Sequence, residues 1–562
     1  MAGDYPSACD VVVLGSGAAG LTAALVAAIE GLRPIVLEKS PWIGGTTALS
    51  AGSVWIPNTH LASSGEDGPA EARRYLDAIV GNHASGALKT AFLSQGPWAI
   101  RLLEDATHVR FRPYAYHPDY YPDAPGATLA GRALEPVPFD GRALGADFAR
   151  LRPPLPEFML LGGMMVDRFD IAQLMRAVRS RHAFGHALRL LGRYALDRLH
   201  YPRGTRLVMG NALVGRLVLS LRERQVPILT EAVAESLLSR DGAIAGVRLA
   251  HAGQHATLSA KAVILATGGF THHPELREEY LPRPLPRWSP VPSANCGDGL
   301  ALGRAAGAVI GGDHRSAAFW APVSVRRRRD GSDAVFPHFV LDRGKPGLVA
   351  VDRSGRRFVN EAAPYHEFGL AMFEADARSP AIPCFFVCDQ PFLRRYGLGM
   401  LRPGGWSTAR AVRSGYLIQA PTLEALARAL GIDAQGLCET AERNNRFAAT
   451  GRDEDFGKGA NAHNRNLGDP AHGPNPCLGP IATPPFYGIR VYPGDIGASR
   501  GLVTDASARV LKESGAPIEG LYACGNDMSS VMGGTYPGPG ATLGPALTFA
   551  FIAARDAKRL IG

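Results

Sequence analysis

Cysteine is scarce in this chain, with seven residues in 562, at positions 9, 296, 384, 388, 438, 477 and 524. Their odd number and scattered spacing exclude a disulfide framework and predict reduced thiols in a cytoplasmic protein. Only Cys384 and Cys388 are close, and one C-x-x-x-C pair alone makes no metal site, so no metal is expected. Residues 1–8 lack the basic stretch that opens a secretory signal. No repeats or low-complexity tracts appear. Long apolar runs are also rare. Residues 11–29 are uncharged and long enough to raise the question of a membrane span, but glycines interrupt them.

That run has a better explanation. Val11–Leu14 is continuously apolar, as in a parallel strand covered on both faces. Gly15-Ser16-Gly17-Ala18-Ala19-Gly20 follows, then a helical stretch over 21–31 and an apolar strand over 34–37 that ends at Glu38. Strand, glycine turn, helix, strand and acid in this order form the dinucleotide-binding fingerprint. The glycines make the turn, the helix N-terminus meets the pyrophosphate and the acid takes the ribose hydroxyls. A second such motif for a nicotinamide cofactor is missing, and so is a redox C-x-x-x-x-C, which excludes a pyridine-nucleotide disulfide reductase. At 562 residues the chain needs two or more domains.

Near the C-terminus, residues 531–545 read VMGGTYPGPGATLGP, with five glycines and three prolines. Such a loop brings backbone close to a ligand, because glycine has no side chain in the way. Pro545 suits a first helical turn, and 546–560 is a helical run with Lys558 and Arg559 in its last turn. Backbone N–H groups near 543–546 are predicted to face what the loop holds. Tyr536 is the reactive side chain there.

Residues 168–224 hold twelve arginines and no lysine, against Asp170, Asp197 and Glu223. Leu174, Met175, Val178, Leu188, Leu191, Ala195 and Leu199 recur at roughly helical spacing. A basic amphipathic helix pair suits an anionic membrane surface. An ordinary core-facing helix with a solvated face is the other reading; no motif accompanies the charge that would make nucleic acid a partner. The Arg326–Arg329 run is taken as a solvated loop, and the aromatic, proline-rich stretch 105–150 as irregular surface loop.

Several segments together resemble the glutathione-reductase-like FAD fold. Residues 39–52 (KSPWIGGTTALSAG) are similar to its second flavin segment, residues 262–269 (AVILATGG) to the strand that returns to the cofactor, and residues 520–526 (GLYACGN) to its last flavin strand. Within that fold the chain resembles the 3-ketosteroid Δ1-dehydrogenases of the fumarate reductase/succinate dehydrogenase flavoprotein superfamily. The narrower resemblance rests on Tyr536-Pro537-Gly538-Pro539-Gly540, on Asn360-Glu361 with Pro364-Tyr365, and on Asp119-Tyr120-Tyr121-Pro122. It implies an α/β protein with a Rossmann-type FAD-binding domain over 1–315 and 495–562. An α+β substrate-capping domain is inserted over 316–494.

The resemblance also implies roles. FAD contacts fall to Gly15, Ser16, Gly17, Ala18, Ala19, Gly20, Glu38, Lys39, Gly44, Gly45, Thr46, Thr47, Ser50, Ala51 and Gly52. They continue through Ala232, Val233, Thr267, Gly268, Gly269, Asp298, Gly525, Asn526, Thr542 and Leu543. Asn526 departs from the acid usual at its position. Tyr536 and the Gly540 N–H would bind the steroid C3 ketone, Tyr365 would take the C2 proton, and Tyr120, or Tyr121, would support it. Tyr121 and Phe339 would line the substrate pocket. The expected partners are a 3-ketosteroid and a quinone or other electron acceptor, with contact at the inner face of the cytoplasmic membrane through 168–224. Other readings of the same residues are a Δ4-dehydrogenase of saturated 3-ketosteroids, a dehydrogenase of another cyclic ketone, and a non-catalytic flavin or lipid binder.

Overall fold

The computed structural model describes residues 6–62, 67–177 and 180–562; Val178 of the basic stretch lies outside them. A six-stranded sheet carries the dinucleotide fingerprint. Its order is Arg509–Leu511, Pro517–Ala523, Ala262–Leu265, Val11–Leu14, Pro34–Glu38, Ile228–Thr230. All neighbours run parallel except the antiparallel edge strand Arg509–Leu511. The central strands are buried along their whole length, as their uninterrupted apolar sequence requires. The helix Ala18–Ile29 packs against the C-terminal helix Leu543–Ile561, so the two ends of the chain share one core.

A three-stranded antiparallel meander, Ala232–Arg240, Ala243–His251 and Gln254–Ser259, joins this sheet. A separate antiparallel sheet is drawn from the middle of the chain. Its order is Asp333–Pro337, Ala318–Arg327, Phe486–Ala498, Cys384–Cys388, Leu348–Val351. The seven cysteines are free, with Cys384 and Cys388 buried on one strand.

Three surface expectations change. The basic stretch forms two exposed helices, Arg168–Arg176 and Arg181–Asp197, but its continuation Met209–Glu223 is a core helix against Ala18–Ile29. Its leucines and valines therefore fill the interior and leave a shorter amphipathic surface than 168–224. Arg326 and Arg327 end a strand instead of forming a loop, and Arg328 pairs with Glu157 at 2.9 Å. The 105–150 stretch is not all surface loop: Phe111–Pro113 and Ala133–Pro136 pair as strands, and Tyr120 is buried. Among the described residues no helix is long and apolar enough to cross a membrane.

The turn after the first strand leaves no room for a side chain. Gly15 has φ +105°, and a Cβ there would lie 2.2 Å from the Ala266 carbonyl oxygen. Gly15→Ala is expected to cost about 3 kcal/mol or more through strain and collision. A fall in melting temperature together with lost flavin on purification would show it.

Candidate active site

The first strand and helix create an open cradle. The helix Ala18–Ile29 starts at Gly17 without a side-chain cap. A Cβ on Gly17 would meet only Thr47 Oγ1, at 3.7 Å, so the space above its backbone is open. One orphan N–H is taken: Ala18 N donates to Thr47 Oγ1 at 3.0 Å. Glu38 accepts from Ser16 N (3.1 Å), Ser16 Oγ (2.6 Å) and Ser40 N (2.8 Å), which ties the first flavin segment to the second. Gly44 N donates to Ser16 Oγ. Lys39 pairs with Asp298 at 2.5 Å. An uncapped helix terminus over open glycine backbone, with an acid beside it, fits a dinucleotide.

The turn after the last flavin strand adds a buried acid that the sequence reading missed. Asp527, one residue beyond Asn526, accepts from Thr267 N (2.5 Å), Thr267 Oγ1 (3.0 Å) and Gly269 N (2.8 Å). Burial pushes its carboxyl up to about 6. It rigidifies the Thr267-Gly268-Gly269 turn, while Asn526 packs near Gly269 and Gly497. Ser50 and Gly52 hold the second segment through Ser50 Oγ. Ala232 is buried and Val233 exposed on the meander.

The glycine-rich loop presses against residues 53–55. A Cβ on Gly538 would lie 2.4 Å from the Trp55 ring, and one on Gly540 would lie 2.2 Å from the Ser53 carbonyl oxygen. Trp55 N donates to Gly540 O at 3.2 Å, and Tyr120 N donates to Pro537 O at 3.0 Å. The Trp55 indole donates to Asp119 at 2.8 Å, and Arg132 pairs with the same carboxylate. Among the described residues no acceptor takes the Gly540 N–H. Gly544 N and Ala546 N are bonded to Gly540 O and Thr542 O, so the free N–H groups at this helix start are fewer than the sequence implies.

Three tyrosines meet beside this loop. The Tyr536 ring lies 5.1 Å from Tyr365 and 5.9 Å from Tyr120, and Tyr120 lies 5.6 Å from Tyr365. All three are buried, and burial pushes each hydroxyl's pKa upward. The hydroxyls face one another closely enough that charge on one disfavours ionisation of the next. Phe339 stands 4.9 Å from Tyr365 and Phe319 stands 5.3 Å from Tyr536. The walls are therefore aromatic, with the polar atoms concentrated at one place.

Between the two candidate partners of Tyr365 the structure separates Tyr120 from Tyr121. Tyr120 joins the cluster. Tyr121 turns its hydroxyl to Glu367, which is paired with Arg315 at 2.7 Å. Tyr121 is thus outside the tyrosine triad, its half-buried ring packed against the core. Sequence reasoning also missed His366, His463, Phe319 and Arg343. His366 accepts from Trp320 N at 3.1 Å and donates to Gly534 O at 2.9 Å, which holds the glycine loop against the middle sheet. His463 packs on Tyr120 at 4.7 Å with neither ring nitrogen partnered. No spacing rule marks these residues; only the adjacency of His366 to Tyr365 was a usable signal. A groove of about 610 Å³ lined by Asn58, Arg73, Trp98 and Arg101 lies elsewhere, and no tyrosine of the triad lines it.

Comparison with known proteins gives the family. The FAD binding domain family model matches residues 10–543. A 3-oxosteroid 1-dehydrogenase of Mycobacterium tuberculosis is 39% identical, with 97% of each chain covered. A 4-oxocyclohex-2-ene-1-carboxylate 5-dehydrogenase of Sinomonas cyclohexanicum is 38% identical over 98% of this chain and 94% of its own. Among solved structures, the 3-ketosteroid Δ1-dehydrogenase of Sterolibacterium denitrificans in complex with 1,4-androstadiene-3,17-dione superposes with a TM-score of 0.91 at 38% identity. It covers 99% of this chain and 100% of its own. With the cradle, the buried triad and these matches together, the chain belongs to the FAD-binding 3-oxosteroid 1-dehydrogenase family.

Proposed function

We propose that this protein removes the hydrogens at C1 and C2 of 3-ketosteroids, converting a 4-ene-3-ketone to a 1,4-diene-3-ketone. The meeting of Tyr120, Tyr365 and Tyr536 beside the unpartnered Gly540 N–H carries the reading. The Tyr536 O–H and Gly540 N–H donate to the C3 ketone and favour negative charge on its oxygen. That acidifies the C2 proton, which Tyr365 receives. Tyr120 shares the phenolate charge by hydrogen bonding. FAD, when bound, supplies the acceptor for the hydride that leaves C1. The segments around Gly15–Gly20, Glu38 and Thr46–Thr47 hold it, with Thr267–Gly269, Asp298 and Gly525–Asn526 from the return strands and Thr542–Leu543 from the last helix.

A free tyrosine ionises near pH 10, and burial here moves Tyr365 higher still. The rate is therefore expected to rise with pH. A monocyclic 4-oxo acid is the second reading, favoured by the similarity to the Sinomonas enzyme. The aromatic walls argue for the larger hydrocarbon, because apolar area supplies most of such a ligand's affinity. In this reading residues 316–494 cap the FAD-binding parts 1–315 and 495–562. The middle antiparallel sheet, which supplies Phe319 and lies beside Tyr365, supports that division.

Anaerobic mixing with a 4-ene-3-ketosteroid should bleach the flavin and give a product two hydrogens lighter. Tyr365→Phe is expected to lower kcat about 100- to 10,000-fold and Tyr536→Phe about 100- to 1,000-fold, with flavin retained. A flavin bleached by a monocyclic 4-oxo acid and not by the steroid would sink the steroid assignment.

The exposed helix pair supports a peripheral membrane contact. Leu196 and Leu199 are 62% and 72% exposed, Phe169, Met175, Phe184 and Leu188 about half, and Arg168, Arg176, Arg181, Arg189 and Arg198 flank them. A membrane quinone is the electron acceptor this placement favours. The protein should sediment with anionic vesicles, more weakly at high salt. Leu188→Ser with Leu199→Ser should reduce binding at least about tenfold; unchanged sedimentation would refute the contact.

A further inference from the structure

A tyrosine that takes a proton must first carry negative charge, and the walls around Tyr365 are mostly rings. The groups facing the triad are few. His117, Tyr114 and His463 approach Tyr120, and His366 and Thr542 approach Tyr536. Burial lowers the pKa of all three histidines, so they stay neutral. Glu367, next to His366, is held by Arg315 and Tyr121. Behind the Tyr365 loop, Arg357 and Lys458 face Glu361 and Asp453, two charges of each sign that close on one another. Among the described residues one further cation faces the triad, Arg343.

Arg343 is 1% exposed. Its guanidinium donates to the carbonyls of His338 (2.9 Å), Phe339 (2.9 and 3.1 Å), Glu361 (2.8 Å) and Ala363. Every one of these acceptors is a backbone oxygen. The nearby carboxylate, Asp342, spends its hydrogen bonds on the His338 ring (2.6 Å), the Gly399 N–H (2.9 Å) and the backbone N–H of Arg343 (2.8 Å). Phe339 carries the ring beside Tyr365, and Ala363 is two residues ahead of Tyr365. The guanidinium therefore grips both sides of the tyrosine and acts through space on Tyr120 and Tyr365. Burial lowers it to about 10, so it stays charged at neutral pH.

We propose that Arg343 is a positioning residue for the tyrosine base: anchored through carbonyls alone, its charge balances the phenolate that Tyr365 and Tyr120 share before the C2 proton arrives. When that proton moves onto the phenolate oxygen, the electron pair of the broken bond passes into the substrate and Arg343 is left unchanged. The inference rests on the reading of Tyr365 as base.

The test compares holoenzymes of wild type, Arg343→Lys and Arg343→Gln with matched flavin content. The first readout needs no substrate. Ultraviolet difference titration follows tyrosinate, and the component lost in Tyr365→Phe and Tyr120→Phe is assigned to the pair. Arg343→Gln should move that component upward by about one to three pH units, the usual effect of an adjacent opposite charge, with Arg343→Lys much closer to wild type. In the second readout, the rising limb of kcat/KM against pH should shift by the same amount in Arg343→Gln, with KM little changed. Identical titrations in wild type and Arg343→Gln would overturn the proposal. So would a lysine variant that shifts as far as the glutamine variant, since geometry and not charge would then be at work. If wild type does not turn the steroid over, the steroid reading falls while the titration still decides this one. Should Arg343→Gln not fold, Asp342→Asn decides: removing the carboxylate should move the component downward, and no shift or an upward one refutes the idea.

Discussion

The contact on which the site depends is backbone against backbone, between the glycine loop of residues 533–544 and the short strand Val54–Trp55. Gly540 and Gly544 bring main chain against the backbone of Ser53 and Trp55, where any Cβ would overlap, and Gly538 faces the Trp55 ring at the same range. Main-chain contact at that range fixes a loop more tightly than side-chain packing, because no rotamer can relieve it. The strand is in turn pinned through the Trp55 indole by Asp119, which precedes Tyr120, so one carboxylate registers two of the site's segments. Pro537 O takes the Tyr75 hydroxyl and the Tyr120 N–H, which locks Tyr120 to the residue that follows Tyr536.

Electrostatics around the triad follow from the same burial. A dry aromatic pocket suits a hydrocarbon ligand but raises every tyrosine pKa. Neutral histidines then serve as hydrogen-bonding struts, as His366 does between Trp320 and Gly534. Charge is kept in closed sets such as Arg357 with Glu361 and Asp453, which leaves little field to disturb the site from behind.

Much of this was legible in the sequence because it is local. The fingerprint over 11–38 needs only neighbours along the chain, and its strands and helix appear within a few residues of where periodicity places them. The flavin segments carry their own glycine and hydroxyl pattern. Tyr365 and Tyr536 were reached through motif resemblance, since nothing in their spacing marks them. What stayed hidden is tertiary. Asp527 looks like an ordinary turn acid until Thr267 and Gly269 arrive from 258–260 residues away. Met209–Glu223 reads as part of a basic surface because its arginines count equally whether a helix face is covered or not. The choice between Tyr120 and Tyr121 depends on which side of one backbone faces Tyr365, and adjacent residues on an irregular segment give no period to settle it.

The three tyrosines lie 245 and 171 residues apart along the chain, Tyr365 on the helix that packs on the middle sheet and Tyr536 in the loop before the C-terminal helix at the junction with the flavin sheet. Tyr365 opens the helix Tyr365–Asp376, whereas Tyr120 and Tyr536 lie in irregular segments. The meeting of the three tyrosines is therefore a property of the closed chain, with a long loop-closure cost behind it. Parting of the flavin sheet from the middle sheet would separate the tyrosines while leaving each sheet's own strands paired. Loss of turnover is thus a more sensitive gauge of that junction than any spectrum of secondary structure.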